Sequence, residues 1–195
     1  KVAEEDICEA DVVIYVISRI SGEGKDRRKV KGDYYLSERE EEDLRYLAEM
    51  NKPVILILNA GGPVELTDIL EQTDNIKGIL NISQLGQEGG DALADVLLGK
   101  EVPGGKLTTT WARRYEDYPA SEEYGYLNGN LEKEKYKEGI YVGYRYFDSF
   151  DKKVMFPFGF GLSYTTFEMK CCSINMEESK IRAEVQVTNT GNEYA

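Results

Sequence analysis

The sequence predicts an α/β fold with a mostly parallel sheet and helices on both faces, followed by the first strands of an antiparallel all-β sandwich. Three observations predict it. From residue 1 to about residue 100, short apolar runs alternate with helix-period segments, the signature of strand–helix units in series. The run Val54-Ile55-Leu56-Ile57-Leu58 is apolar without a break, as expected of a strand covered on both faces. From Thr166 onward the period changes to two: Ile181, Ala183, Val185 and Val187 alternate with Arg182, Glu184 and Gln186.

The elements follow in order. Lys1 to Glu9 reads as the tail of a helix feeding a strand near Asp11 to Arg19, built on Val12-Val13-Ile14-Tyr15-Val16-Ile17. A polar loop through Lys25-Asp26-Arg27-Arg28 and Lys31-Gly32-Asp33 comes next. Ser37-x-x-Glu40 is a capping box that opens a helix, with Leu44, Leu47 and Ala48 on one face and the acidic run Glu40 to Asp43 where the helix dipole favours it. Asn51-Lys52-Pro53 ends that helix. After the Val54–Leu58 strand, Asn59-Ala60-Gly61-Gly62-Pro63 leads to a second helix, with Pro63 expected at its first turn. A third strand is expected near Lys77 to Ile82, then a helix from Ala92 to Leu98 stopped by Gly99. Gly89 and Gly90 are expected to allow close helix–sheet approach. Residues 103 to 165 are rich in tyrosine and turn residues, and Pro157-Phe158-Gly159-Phe160-Gly161 reads as a linker or a strand edge. Asn189-Thr190-Gly191-Asn192 is the turn after the last strand. One hairpin is not stable alone, so the chain is expected to be a piece of a longer protein.

Composition narrows the chemistry. The 195 residues hold 36 Asp and Glu against 24 Lys and Arg, a formal net charge of −12, which repels phosphate backbones and anionic membrane surfaces and argues against nucleic acid and membrane partners. There is no histidine, so acid–base work falls to carboxylates, Lys, Tyr or Cys. No cluster has metal-ligand character, and no metal or cofactor is implied. The three cysteines, Cys8, Cys171 and Cys172, are odd in number and include an adjacent pair; they predict reduced thiols and a cytoplasmic compartment, with secretion left open for a fragment. No apolar run approaches the ~18 residues of a membrane span.

One carboxylate stands out. Glu23 lies in the glycine-flanked segment Ser21-Gly22-Glu23-Gly24 just after the first strand. In open α/β sheets ligands bind beyond the carboxyl ends of the strands. Taken alone, Glu23 is either a solvated turn residue or a carboxylate aimed at a ligand. Glu88, before a later helix, is the rival acid, with a first-turn role satisfying helix amides as its ordinary explanation. The glycine spacing of Gly86 to Gly90 does not make a dinucleotide fingerprint, and no phosphate-cradling loop is present.

Five segments, in order, carry a resemblance. They are Ile17-Ser18-Arg19-Ile20-Ser21-Gly22-Glu23-Gly24 with Asp26-Arg27; Gly86-Gln87-Glu88-Gly89-Gly90 with Ala94-Asp95-Val96-Leu97-Leu98-Gly99; Pro103-Gly104-Gly105-Lys106-Leu107; Glu138-Gly139-Ile140-Tyr141-Val142-Gly143-Tyr144-Arg145-Tyr146; and Phe156-Pro157-Phe158-Gly159-Phe160-Gly161-Leu162-Ser163-Tyr164. Together they resemble the family-3 glycoside hydrolases, particularly β-glucosidases; Phe160 and Thr109 are small departures where Tyr and Pro are common. The resemblance implies an α/β-sandwich domain over 1–165, including the tyrosine-rich linker, and the start of a fibronectin-III-like β-sandwich over 166–195, both truncated.

It also implies roles. Glu23 is the general acid/base of a retaining exo-β-glycosidase acting on terminal β-D-glucosyl residues of β-glucosides or cello-oligosaccharides. The nucleophile is an aspartate on a barrel domain outside this chain. A retaining enzyme needs its two carboxyls about 5–5.5 Å apart across the scissile bond, which a crevice between two domains can provide. Ser21, Asp26 and Arg27 are candidate substrate-binding residues, with a structural ion pair across the loop as the alternative for Asp26, Arg27 and Arg28. Guanidinium groups beside Glu23 would lower its pKa and are expected to point away. Lys31-Gly32-Asp33 and Tyr34 are expected to line the cleft. Tyr141, Tyr144 and Tyr146 either stack on sugars or pack where the sheet meets its neighbours. The partners implied are a carbohydrate substrate and the chain's own barrel; oligomeric state and the order of the domains stay open. Family members that cleave N-acetylglucosamine use a barrel histidine instead, so the Glu23 segment argues against that branch. The other class of function is a non-catalytic interaction or carbohydrate-binding module derived from the family, whose open strand edges could pair with another chain.

Overall fold

The computed structural model describes residues 4–20, 27–123, 132–133 and 135–194. The chain is an α/β protein whose parallel sheet is followed by antiparallel strands, as the change of period predicts. The described residues of Lys1–Gln87 and Thr109–Phe158 form one compact unit, and Glu88–Thr108 with Gly159–Ala195 form a second.

In the first unit, α1 (Glu4–Glu9) precedes three parallel strands in the order β1 (Val13–Ser18), β2 (Val54–Asn59), β3 (Ile76–Asn81). Six pairs run in register from Val13↔Val54 to Ser18↔Asn59. The β2/β3 ladder slips by one residue between Val54↔Ile76 and Ile55↔Gly78, then runs to Leu58↔Asn81. The two crossovers carry α2 (Glu38–Glu49) and α3 (Thr67–Gln72).

Alternation along β1 decides what each face meets. Tyr15 donates from its hydroxyl to Asp43 of α2 at 3.1 Å, so the face holding Tyr15 and Ile17 is the one α2 covers. Ile17, Leu44, Val54, Leu56, Ile57 and Leu58 are fully buried. Each is worth about 1.5–3 kcal/mol of transfer free energy. On the opposite face of β1, Ile14 and Val16 are 50% and 53% exposed.

The capping box of α2 forms as expected: Ser37 Oγ accepts from the Glu40 amide at 3.2 Å, and Glu40 Oε2 accepts from the Ser37 amide at 2.8 Å. The helix ends at Met50, and Asn51 takes the left-handed conformation, φ 52°, that asparagine tolerates. Pro63 is not at the first turn of α3, which starts four residues later at Thr67. The cause is a parallel bridge between Tyr35 and Glu65, with the Glu65 amide on the Tyr34 carbonyl, which keeps the chain extended up to the helix.

The tyrosine-rich stretch contributes a short antiparallel pair, β4 (Trp111–Ala112) with β5 (Val154–Phe156), and one helical turn and a half, α5 (Tyr144–Ser149). Trp111 faces Phe156 edge-on at 5.9 Å and is buried, as is Phe147. Pro157 to Gly161 follows β5 as turn and connection without strand, so of the two sequence expectations the linker is the one observed.

The second unit holds α4 (Gly89–Leu97) and a long hairpin of β6 (Phe167–Glu177) and β7 (Lys180–Asn189). Gly99 ends α4 with φ 69°, as expected. Within the described residues, a Cβ built on Gly90 meets no atom within 4 Å. In the hairpin Met169 opposes Val187, Cys171 opposes Val185, Ile174 opposes Ala183 and Met176 opposes Ile181. A bulge between Cys171 and Ser173 moves the apolar set of β6 from odd to even numbers, keeping all four pairs on one face. Cys8, Cys171 and Cys172 are free thiols. No described helix is long and apolar enough to cross a membrane.

Candidate active site at the carboxyl edge of the parallel sheet

The carboxyl ends of the strands are level, with Ser18 beside Asn59 and Leu58 beside Asn81. The Arg19 amide extends the ladder by donating to the Asn59 carbonyl at 3.0 Å. Beyond Ile20 come the residues that the sequence singled out. Glu23, Ser21 and Asp26 lie outside the described residues; Arg27 is described. The described residues of the site are the two flanks of segment 21–26.

The upstream flank is Arg19. Its side chain is 5% exposed and every nitrogen of the guanidinium donates. Nη1 and Nη2 form a two-pronged pair with Glu40 Oε1 and Oε2 at 2.8 and 2.7 Å. Nε donates to the Asp33 carbonyl at 2.7 Å, and the Ser18 and Tyr35 carbonyls accept from Nη1 and Nη2. Burial opposes ionisation of Glu40, but Arg19 and the Ser37 amide outweigh it and hold the carboxyl below its ordinary range.

The downstream flank is Arg27 with Arg28. Arg27 Nε donates to Asp33 Oδ1 at 2.9 Å, Nη2 to the Asp33 carbonyl at 2.5 Å, and Nη1 to the Pro63 carbonyl at 2.6 Å. The Arg28 amide donates to Asp33 Oδ2 at 2.7 Å. Burial pushes Asp33 up, and the Arg28 amide followed by the Arg27 guanidinium pull it further down, leaving it below the usual aspartate value. Arg27 thus forms a structural ion pair, the alternative that the sequence allowed for it, and among the described residues its Nε, Nη1 and Nη2 each donate within the fold.

Around this pair the residues expected to line a cleft separate. Tyr34 is buried, 9% exposed, and packs edge-on against Tyr115 at 5.0 Å, so it belongs to the core. Its large ring is what burial selects, and that burial, followed by its contact with Tyr118, raises the phenol far above the ordinary range. Lys31 lies near Glu41 and Glu38, at 3.6 and 3.8 Å. Lys29 pairs with Glu116 and sits 4.5 Å over the Tyr115 ring.

Two other carboxylates bear on the choice of acid. Glu65 is, among the described residues, the carboxylate raised by burial, against the opposing effects of the Tyr115 amide and Arg114. It accepts from the Tyr115 amide at 2.8 Å and pairs with Arg114 at 3.4 Å, which ties it to the fold. Glu88 occupies the N-cap position of α4 but makes no capping hydrogen bond with its side chain. Its backbone, φ −87° and ψ 14°, is not the extended conformation that aims a cap side chain at the first amides, so the role expected of it is not realised. Tyr144 stacks on Phe158 at 5.2 Å, Tyr141 packs on Phe150 at 4.9 Å, and Tyr146 on Phe147 and Phe150, so all three are engaged with aromatic neighbours.

The model of the glycosyl hydrolase family 3 C-terminal domain matches residues 1–144. The chain belongs to glycosyl hydrolase family 3. Among similar sequences, "Beta-glucosidase A" of Butyrivibrio fibrisolvens is 41% identical over 81% of this chain and 22% of its own length. Among solved structures, β-glucosidase 3B of Thermotoga neapolitana, in complex with α-D-glucose, superposes with a TM-score of 0.86 at 42% identity, covering 97% of this family-3 chain and 27% of that one. A β-glucosidase from Paenibacillus barengoltzii gives 0.89 at 34% identity, covering 99% and 22%. The family-3 chain thus spans about a quarter of the length of such relatives.

The sequence missed Arg19, Glu40 and Asp33 as a unit. Glu40 was legible as a capping residue, but nothing local signals that its second face meets an arginine 21 positions earlier.

Proposed function

We propose that this chain is the acid/base-bearing part of a retaining exo-β-glycosidase that removes terminal β-D-glucosyl residues. Glu23 serves as general acid for the leaving group and then as general base for water. The nucleophilic carboxylate is supplied by a segment outside the 195 residues, on the barrel that the family resemblance implies. Residues 166–195 open a fibronectin-III-like sandwich. Ser21 and Asp26 contribute to substrate contacts, whereas Arg27 acts on the loop rather than on the sugar.

One observation carries the reading: in a chain of this family, β1 ends at Ser18, level with Asn59 at the carboxyl edge of the parallel sheet, where α/β folds bind ligands, and the glutamate segment follows it in the sequence. The names of its relatives support the β-glucoside as substrate. The latching of Arg27 onto Asp33 is favourable to the chemistry, because a general acid must stay protonated and a free cation beside it would lower its pKa.

The test uses the full-length polypeptide and its Glu23→Ala variant on aryl β-glucosides with good and poor leaving groups, with and without azide. The expected result is a far larger loss for poor leaving groups, and rescue by azide with formation of a β-glucosyl azide. A small loss independent of leaving group would assign Glu23 a structural part. Absence of turnover by the full-length protein itself would favour an interaction module.

A further inference from the structure

Helix α5 and the chain on either side of it, all within the first unit, leave a patch of aromatic surface open. Phe147 is buried, but the ring pairs that flank it are not. Tyr144 stacks on Phe158 at 5.2 Å at the amino end of α5, and Tyr141 lies on Phe150 at 4.9 Å just past its carboxyl end. Tyr141 and Tyr144 are 39% and 44% exposed, and Phe150 and Phe158 are 51% and 53% exposed. Val142, between the two tyrosines, is exposed as well. Charge should fill such a surface if it faced water, since 31% of the chain is Asp, Glu, Lys or Arg. Residues 140–150 instead hold no lysine and no glutamate, and Arg145, which lies 5.8 Å over the Tyr144 ring, is their one cation. Aromatic residues and arginine with few other charges are the composition of the buried centre of a protein interface.

Contacts run from this patch to the carboxyl edge of the parallel sheet. Arg19, the residue after β1, donates to the Asp33 carbonyl at 2.7 Å. The next residue, Tyr34, is buried and hydrogen-bonded to Tyr118. The Tyr118 ring meets Phe147 of α5 edge-on at 5.9 Å, and its hydroxyl donates to the Thr110 carbonyl at 3.4 Å. Thr110 Oγ1 in turn accepts from the Phe158 amide at 3.3 Å. A retaining glycosidase needs its second carboxyl about 5–5.5 Å from the first. The domain that supplies it must therefore lie against the carboxyl edge, beside whatever is packed onto that edge. Its relatives are long enough to provide such a domain, because this chain spans about a quarter of their length.

We infer that the surface formed by Tyr141, Val142, Tyr144, Phe150 and Phe158 is the docking face for the nucleophile-bearing barrel of the same polypeptide. The inference rests on the reading of this chain as one part of a two-domain active site. Two carboxyls on different domains keep their separation only as well as the domains keep theirs. Misplacement of a catalytic group by about 1 Å can cost on the order of 100-fold. A rigid aromatic contact beside the site supplies that precision without touching substrate, and stacked rings lose little side-chain freedom when they are covered.

The experiment uses the full-length protein and reads two things. Hydroxyl-radical footprinting compares Tyr141 with Tyr46 of α2, an equally exposed tyrosine at 39%. Tyr141 is expected to react several-fold more slowly than Tyr46, independently of protein concentration. Amine cross-linking from the exposed Lys152 and Lys153, just past Phe150, then identifies what covers the patch. The nucleophile's domain is marked by trapping its carboxylate with a 2-deoxy-2-fluoroglucosyl fluoride, and cross-links are expected to reach that domain. Equal reactivity of Tyr141 and Tyr46 overturns the inference by showing the face open. Protection that grows with concentration assigns it to a second copy, and cross-links that miss the marked domain assign it to another segment; either outcome overturns the inference and leaves the two-domain reading standing. If the reagent marks no carboxylate outside these 195 residues, the two-domain reading fails first and the inference falls with it.

Discussion

Arg19 and Glu40 form a two-pronged ion pair, 2.8 and 2.7 Å, that joins the end of β1 to the first turn of α2. Glu40 serves three partners at once: the Arg19 guanidinium, the Ser37 amide and, through its own amide, the Ser37 hydroxyl. A pair this enclosed gains little over an apolar equivalent, but breaking it strands one charge. Replacing Arg19 by Met should destabilise the region by about 3 kcal/mol. Arg19→Lys keeps the charge but loses the planar fork, and should cost less. Amide hydrogen exchange along β1 and α2 reads this locally, and unchanged protection in Arg19→Met would refute the latch.

The same pair sets an acid sensitivity. The Glu40 carboxyl is held below its ordinary value of 4.5 in the fold. The unfolded chain therefore binds more protons in this range, and stability falls as pH falls. The contribution is complete above pH 4.5, the unfolded value, and is lost as pH drops through the lowered folded value. Thermal unfolding of wild type and Glu40→Gln across pH 3–7 should show a gap that is full above about pH 5 and shrinks below it. A gap constant with pH would mean that the ionised form of Glu40 does not matter.

The parts of this fold that the sequence exposes are those encoded by local period and by caps. The three parallel strands, the Ser37–Glu40 box and the Asn51 and Gly99 stops were all legible because each depends on neighbours within a turn. Pro63 misled because its helix-start preference is weaker than the distant Tyr35–Glu65 bridge. Strand β6 was not legible as a strand with a clean period, since Phe167, Met169 and Cys171 are odd while Ile174 and Met176 are even; the bulge reconciles them only once β7 supplies the register. At the candidate site, the sequence singles out Glu23 by its glycines and its place after a strand, and that residue lies outside the described ones. The convergence of Arg19 and Arg27 on the Asp33 carbonyl was not legible, because carbonyl acceptors leave no mark in the sequence.

Glycine positions give a paired test of backbone conformation. Gly32 has φ 81°, a region that L side chains rarely adopt, and a Cβ there would meet only Ser37 Cβ at an ordinary 3.7 Å. Gly32→Ala should therefore destabilise by about 1 kcal/mol through φ rather than through collision. Gly90, in the first turn of α4 with open space around it, is the converse case. Gly90→Ala should be neutral or stabilising by up to about 1 kcal/mol. Local exchange in the loop before α2 and in α4 separates the two, and the reverse ordering would refute the conformational account.

The hairpin yields the last prediction, and it depends on what covers β6 and β7 in the full-length protein. Val185 and Val187 are 50% and 59% exposed here, yet they share a face with Met169, Cys171, Ile174, Ala183, Met176 and Ile181. Gln186 sits between the two valines and opposes Lys170 on the other face. If residues 166–195 open a sandwich, the first face packs against the remaining sheet and the second meets water. Val185→Lys would then bury a charge and cost at least about 2 kcal/mol, while Gln186→Lys should stay within about 0.5 kcal/mol of wild type. Exchange protection across β6 and β7 in the full-length variants measures the difference. Equal tolerance of both substitutions would show that the apolar face is open to solvent, and would remove the argument for a sandwich built on this hairpin.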